Sequence, residues 1–154
     1  MLEDIYASGK ARAIGVSNMH PHHLEKLLKN ASVIPAVNQF ECHPFLQQDE
    51  LIEYCRRKGI LCQAYSPLGG HGGTVLEEPL LIRIAQKYAK TPAQVVIRWH
   101  LQRGIIVIPK SVHQERIAQN AQVFDFELTV EEMEEIMRLN RNHRFNDDPD
   151  HFNF

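Results

Sequence analysis

Four short apolar runs divide the chain, at residues 13–16, 34–37, 60–64 and 105–108. Each is rich in β-branched or small side chains and none alternates strictly in and out, a pattern that predicts strands buried on both faces. Amphipathic segments lie between them. Pro21, after His20, stands where a first helical residue belongs, and Leu24, Leu27 and Leu28 share one face, so a helix is expected to about residue 30. A second helix runs from Asp49 through Leu51, Ile52 and Cys55 to Lys58, with Arg56, Arg57 and Lys58 in its last turn and Gly59 as its stop. After the third run comes a glycine-rich loop, a helix around 79–89, and another opened by Thr91-Pro92 that ends before Gly104. Thr129 and Glu132 form a capping box heading a last helix with Met133, Ile136, Met137 and Leu139, and its acidic stretch at 131–135 is satisfied by the helix dipole alone. Strands alternating with helices predict an α/β fold on a parallel sheet.

Composition narrows this picture without redirecting it. A chain of 154 residues, 44% hydrophobic and with no linker or low-complexity stretch, is expected to be a single domain over 1–154, with a polar, aromatic tail at about 142–154. The net charge of -2 gives no general attraction to nucleic acid or anionic membrane, so any anion site must be local. Cys42, Cys55 and Cys62 form no CxxC pair, which argues against a disulfide framework or zinc knuckle and for a reducing, cytoplasmic setting. The start has no signal-peptide pattern, and no apolar segment approaches the ~18 residues that span a bilayer. A soluble protein is expected.

In a parallel sheet, ligands gather where strands end. The four exits carry Ser17-Asn18, Asn38-Gln39, Tyr65-Ser66 and Lys110-Ser111. Taken singly, each has a bland reading: Ser17-Asn18 turns a strand into a helix, Gln39 satisfies a backbone group, Tyr65 is a packing ring, and Lys110, Ser111 and Arg116 are a solvated helix start. Together they supply amide donors and acceptors, a flat aromatic face and cations, which match the carboxamide, heteroaromatic ring and phosphates of nicotinamide adenine dinucleotide phosphate. The glycine-rich loop at 68–73 has no GK[ST] and opens no GxGxxG helix, so it reads as a flap over that ligand. His20, His22 and His23 read as an exposed polar turn, with no metal predicted, and Trp99 as core against the sheet.

The same residues carry a family resemblance. Residues 9–18 (GKARAIGVSN), 37–44 (VNQFECHP), 64–69 (AYSPLG), 108–111 (IPKS) and 124–129 (FDFELT), with Arg116 five beyond Ser111 and Asn120 four beyond Arg116, resemble the aldo-keto reductases over essentially the whole chain. The nearest likeness is to the 2,5-diketogluconate reductase branch. The resemblance implies the C-terminal half of a (β/α)8 TIM barrel, four parallel strands with surrounding helices. It also implies an NADPH-dependent oxidoreductase acting on small-molecule carbonyl compounds. Ser17, Asn18 and Gln39 would hold the carboxamide, Tyr65 would stack on the nicotinamide, and Ser66 and Leu68 would lie along the pyrophosphate. Lys110, Ser111, Arg116, Gln119 and Asn120 would receive the adenosine end, with Lys110 and Arg116 favouring the 2'-phosphate of NADPH.

That family draws its catalytic Asp, Tyr, Lys and His from the first four strands, whereas this chain is expected to begin in the helix before the fifth. Tyr65 belongs to the stacking motif, and none of the nine histidines lies in the catalytic-histidine motif. No catalytic residue is therefore assigned. The expectations are the cofactor half of a carbonyl reductase, a non-catalytic NADPH-binding or interaction module, or a truncated fragment without independent activity. Pocket walls are expected from the tail near Phe145 and Phe152, and four strands with two open edges predict self-association.

Overall fold

The computed structural model describes residues 1–70 and 73–151. Four strands, β1 (Val16–Ser17), β2 (Val37–Glu41), β3 (Leu61–Tyr65) and β4 (Ile106–Val107), pair in the order β1-β2-β3-β4, every pair parallel. Around them run α1 (Leu2–Ala7), α2 (Pro21–Leu28), α3 (Asp49–Arg57), α4 (Pro79–Lys87), α5 (Pro92–Gln102), α6 (Gln114–Ala121) and α7 (Val130–Met137), with one 3-10 turn at Val75–Glu77. Among the described residues no helix is long and apolar enough to cross a membrane.

Two helices return to the sheet through the same device. At the end of α3, Gly59 takes φ +70°, its N–H donates to Arg56 O at 3.1 Å, and Ile60 N–H reaches Cys55 O at 2.9 Å. After α5, Gly104 takes φ +71°, with Gly104 N–H on Leu101 O at 2.9 Å and Ile105 N–H on His100 O at 3.0 Å. Both are Schellman closures, whose left-handed residue is inexpensive only for glycine. Each places a buried isoleucine, Ile60 or Ile105, directly ahead of the next strand.

The apolar runs found the strands but displaced the second, which starts at Val37 instead of ending there. Burial on both faces also fails. The face bearing Phe40, Cys62 and Ala64 is buried with Leu24 of α2 and with Leu51, Ile52 and Cys55 of α3. The opposite face leaves Leu61 and Ile106 exposed, and the apolar residues 13 and 15 flanking β1 are exposed as well. The outer edges of β1 and β4 pair with no strand among the described residues.

A second core lies among the helices. Leu81, Ile84 and Ala85 of α4, Val95, Val96 and Trp99 of α5, and Ile136 of α7 pack with Phe45 and Leu128. Trp99 thus serves the helical layer and not the sheet, with the Arg103 guanidinium 4.3 Å from its ring. Nor does the acidic stretch of α7 rest on its dipole alone. Glu132 accepts from Lys87 Nζ and Tyr88 Oη, each at 2.7 Å, and Glu135 accepts from Arg83 Nη2 at 2.7 Å, so α7 is clamped to α4. A helical pattern reveals a helix's own capping but not its partners.

His100 on α5 is fully buried, and burial, reinforced by the charge of Arg103, pushes its pKa down to about 3 from 6.5. An unfolded chain takes up this proton near pH 6.5, the folded one only near 3. The stability held by a neutral His100 is therefore complete above the upper value and is lost as the pH falls toward the lower. His100→Phe, which keeps the ring and removes the titration, should flatten the fall of the thermal midpoint between neutral pH and about pH 4. Parallel melting curves for the parent and the variant would refute this assignment.

Candidate functional site

Because all four strands run the same way, their carboxyl ends meet at one pole, and the register fixes the depth of each side chain. Ser17 is level with Gln39 and Gln63, and Glu41 is level with Tyr65. Asn18 takes the left-handed conformation at φ 56°, where asparagine is tolerated. Its N–H and the Ser17 hydroxyl both donate to Gln39 O, at 2.8 and 2.9 Å, which fixes the β1 exit against β2. Asn38 lies within β2 and not at a strand exit as the sequence suggested. Its buried amide donates to Met19 O at 2.8 Å and accepts from Met19 N at 3.4 Å, and so holds the backbone behind the rim.

The rim keeps one unmet acceptor. Asn18 Oδ1 is buried and has no hydrogen-bond partner among the described residues. Gln39 Nε2 donates to Gln63 Oε1 at 2.6 Å across the open face of the sheet, pairing with a side chain where the bland reading had a backbone group. The Tyr65 ring is half-buried beside them. Burial raises its pKa and the charge of Glu41 adds to the rise, against Arg144 and a hydrogen bond with Asn18. The phenol stays neutral and offers an aromatic face. A buried carbonyl oxygen short of a donor, next to that face, fits a carboxamide on a flat heteroaromatic ring.

Beyond Ser66, itself at φ 47°, opens a cavity of about 800 Å³. Its lining includes Ser66, Leu68, Lys110, Ser111, Arg116 and the α6 pair Gln119 and Asn120. Thus Lys110 and Arg116 face the cavity, and no carboxylate lines it among the described residues. Ser111 Oγ accepts from His113 N at 3.1 Å and shapes the approach to α6, while the buried Gln94 on α5 donates to Gln119 O at 3.0 Å and to Gln122 O at 2.9 Å. Ser17, Asn18, Gln39 and Tyr65 stand outside this cavity, around the exits of β1 to β3. The predicted residues therefore fall into an uncharged rim and a cationic cavity, with Ser66 adjoining both.

Sequence reasoning missed the first turn of α5. Thr91, Pro92 and Ala93 line the cavity too. The Thr91 cap, accepting from Gln94 N at 3.2 Å, was visible as a helix start and gave no sign of facing a ligand. Within the loop read as a flap, Gly70 lines the cavity, while residues 71 and 72 lie outside the described residues, as does Phe152.

The tail returns to this pole through a buried carboxylate. Gln47 Nε2 caps the end of α7 by donating to Ile136 O at 2.9 Å and Met137 O at 3.1 Å, and the Arg141 and His143 N–H groups donate to Phe45 O. Glu41, fully buried, then accepts from His43 Nε2 at 3.1 Å, Phe145 N at 2.8 Å and Asn146 N at 3.3 Å. Burial works to raise its pKa, but the His43 bond and the two amides outweigh it and the pKa is lowered. Asn146 Nδ2 reaches Ser66 Oγ at 3.4 Å, so the tail crosses the junction of rim and cavity.

Comparison with known proteins agrees with this geometry. The sequence model of the Aldo/keto reductase family matches residues 1–141. The chain is 52% identical to an uncharacterized oxidoreductase, YtbE, of Bacillus subtilis over 99% of its own length and 54% of that protein's. It is 50% identical to a glyoxal reductase of the same organism, over 99% of itself and 55% of the relative. The structure of a Bombyx mori aldo-keto reductase in complex with NADP superimposes with a TM-score of 0.89 at 39% identity, covering 97% of this chain and 51% of that one. The chain thus spans about half the length of the curated relatives it matches, and their names single out no branch of the family.

The folded-state pKa of Glu41 is depressed, so its contribution to stability is present above the ordinary carboxylate range and is lost as the pH falls through the lowered value. Glu41→Gln removes the charge from three bonds of the charge-assisted kind and should cost roughly 1.5–3 kcal/mol. Limited proteolysis should then cut faster within 142–151 than elsewhere, as mass spectrometry of the fragments would reveal. An unchanged cleavage pattern would mean that the tail is held by something else.

Proposed function

This chain belongs to the aldo/keto reductase family, and on that premise we propose that it binds NADPH as part of a protein reducing aldehydes or ketones to alcohols. Its relatives are oxidoreductases, and the family binds a nicotinamide cofactor. The observation that carries the reading is the cavity with Lys110 and Arg116 on its wall and no carboxylate among its described lining. Such a cavity suits a ligand with several phosphate oxygens, and a second cation favours the extra phosphate of NADPH over NADH. The α6 start, with its free N–H groups, adds to the same preference.

The cofactor supplies the hydride. The chain's own residues would orient it. Asn18, Ser17 and Gln39 would fix the carboxamide, Tyr65 would cover one face of the ring, and Ser66 and Leu68 would follow the pyrophosphate. Lys110, Ser111, Arg116, Gln119 and Asn120 would hold the adenosine end. The substrate is a small carbonyl compound of the whole protein, and the residues described here are assigned no catalytic part.

A second proposal concerns assembly. Exposed Ile106 and Ile108 lie on or just beyond the edge strand β4, and exposed Leu61 lies on its neighbour β3, an apolar surface beside an open edge that favours association of copies of this chain. Sedimentation velocity should reveal species larger than a monomer, and a monodisperse monomer at micromolar concentration would end that idea.

Titration of the chain with NADPH and NADH, followed through the fluorescence of the reduced cofactor, tests the binding reading. NADPH should bind the more tightly. Lys110→Ala and Arg116→Ala should each weaken NADPH by roughly tenfold or more, the loss of one charge-assisted contact, with a smaller effect on NADH. Equal affinities for both cofactors, or variants that bind NADPH as the parent does, would overturn the assignment of the cationic cavity.

A further inference from the structure

Away from the cofactor cavity, three imidazoles and one carboxylate converge where the amino end of α2 meets the tail. His20 Nδ1 lies 3.3 Å from Asp150 Oδ2, His22 Nε2 3.2 Å from Asp150 Oδ1, and His23 Nε2 3.4 Å from that same oxygen. The His22 and His23 rings are 3.9 Å apart between centroids, and His20 is 5.9 and 5.8 Å from them. The sequence presented these histidines as an exposed turn because nothing in it brought Asp150 to them.

Ion pairing accounts poorly for the cluster. Charge-assisted N–H···O bonds close to about 2.7–2.9 Å, and all three separations are longer. Protonated imidazoles would also crowd the positive end of a helix.

A metal accounts for it better. Bonds of about 2.0–2.2 Å to imidazole nitrogen and carboxylate oxygen, arranged as a tetrahedron, put neighbouring ligand atoms about 3.3–3.5 Å apart. The nitrogen–oxygen separations of 3.3 Å for His20 and 3.2 Å for His22 are close to that spacing, and because they run to different oxygens of Asp150, a turn of the carboxylate is needed to present one oxygen to both rings. One atom each from His20, His22 and Asp150 lies within 4.8 Å of the other two, so a small contraction completes the set.

We propose that His20 Nδ1, His22 Nε2 and a carboxylate oxygen of Asp150 bind a divalent transition-metal ion of the zinc class, leaving one position open. His23 has a supporting part. Its Nδ1 accepts from His20 N at 3.2 Å, which places its proton on Nε2, facing Asp150, so that it orients the carboxylate. Arg144 acts as a competitor. Its Nη2 lies 3.3 Å from His20 Nε2, a contact that needs a lone pair on that nitrogen, whereas metal on Nδ1 puts the ring proton there. Metal binding therefore releases Arg144 from His20 while fastening the end of the tail to α2. No ligand lines the cofactor cavity, so this site stands or falls separately from the NADPH reading.

Zinc calorimetry on the full chain, with cobalt(II) absorption as a probe of tetrahedral geometry, provides the test. One equivalent should bind saturably and give the intense visible bands of tetrahedral cobalt. His22→Ala and Asp150→Ala should each weaken binding by at least about a hundredfold, and His23→Ala by roughly tenfold, the usual cost of losing an orienting group. Arg144→Ala should tighten it. Asp150 sits in an exposed stretch of the tail, so its variant keeps the fold and the comparison stays clean. No saturable uptake, or equal uptake by the parent and the His22 and Asp150 variants, would show only scattered surface histidines and overturn the site. Weaker binding by Arg144→Ala would overturn the competition.

Discussion

Parallel pairing is the constraint from which the site follows. A parallel strand can be re-entered only from the end where its neighbour began, so each connection must carry the chain the length of the sheet. Here helices make that passage, and two of them turn back into the sheet through left-handed glycines at positions 59 and 104. At these two returns the amino-terminal pole has room only for turns. The connections that leave β2, β3 and β4 at the opposite pole are longer than these returns, and that pole carries side chains from four strand exits and the starts of α5 and α6. The convergence of Asn18, Gln39, Tyr65 and Lys110 is thus a consequence of topology more than of local sequence.

The tail depends on a second constraint, that a charge inside a protein must be met by donors. Glu41 stands at the last position of β2, fully buried, and its needs are met by His43 and by two backbone amides contributed by the tail. An extended segment rich in polar residues has little apolar surface with which to dock. Two N–H groups on a buried carboxylate, with Phe145 against the His43 ring at 4.9 Å, give it one fixed crossing point. This places Asn146 on Ser66 and the rest of the tail near α2.

Much of this was legible in the chain. Strand–helix alternation, the capping residues Thr91 and Thr129 and the stop at Gly59 are local signals, and each sits where its chemistry requires. Seven of the eleven predicted cofactor residues line one cavity because they follow directly from strand ends or from α6. What stayed hidden is relational. Glu132 looks like a capping residue until Lys87 and Tyr88 arrive from α4, Trp99 looks like sheet core until the second cluster is seen, and the α2 histidines look idle until Asp150 returns to them. The displaced start of β2 has another cause: Asn38 and Gln39 break the apolar run, yet Asn38 is buried because its amide bonds to the Met19 backbone and to Cys55 Sγ. A polar residue whose bonds are made internally is invisible to a hydrophobic pattern.

The same accounting explains how an acid can stand near a site for an anion. Glu41 is level with Tyr65, close to where a dinucleotide would pass, and a free carboxylate there would repel phosphate. Its charge is instead taken up by one imidazole and two amides, which is also why its pKa falls despite its burial. The cations that remain facing the cavity, Lys110 and Arg116, lie at the far side, beyond Ser66. The pole is therefore divided into a neutral part that can orient a ring and a positive part that can hold phosphate, and the division depends on where Glu41 finds its donors as much as on where the cations sit.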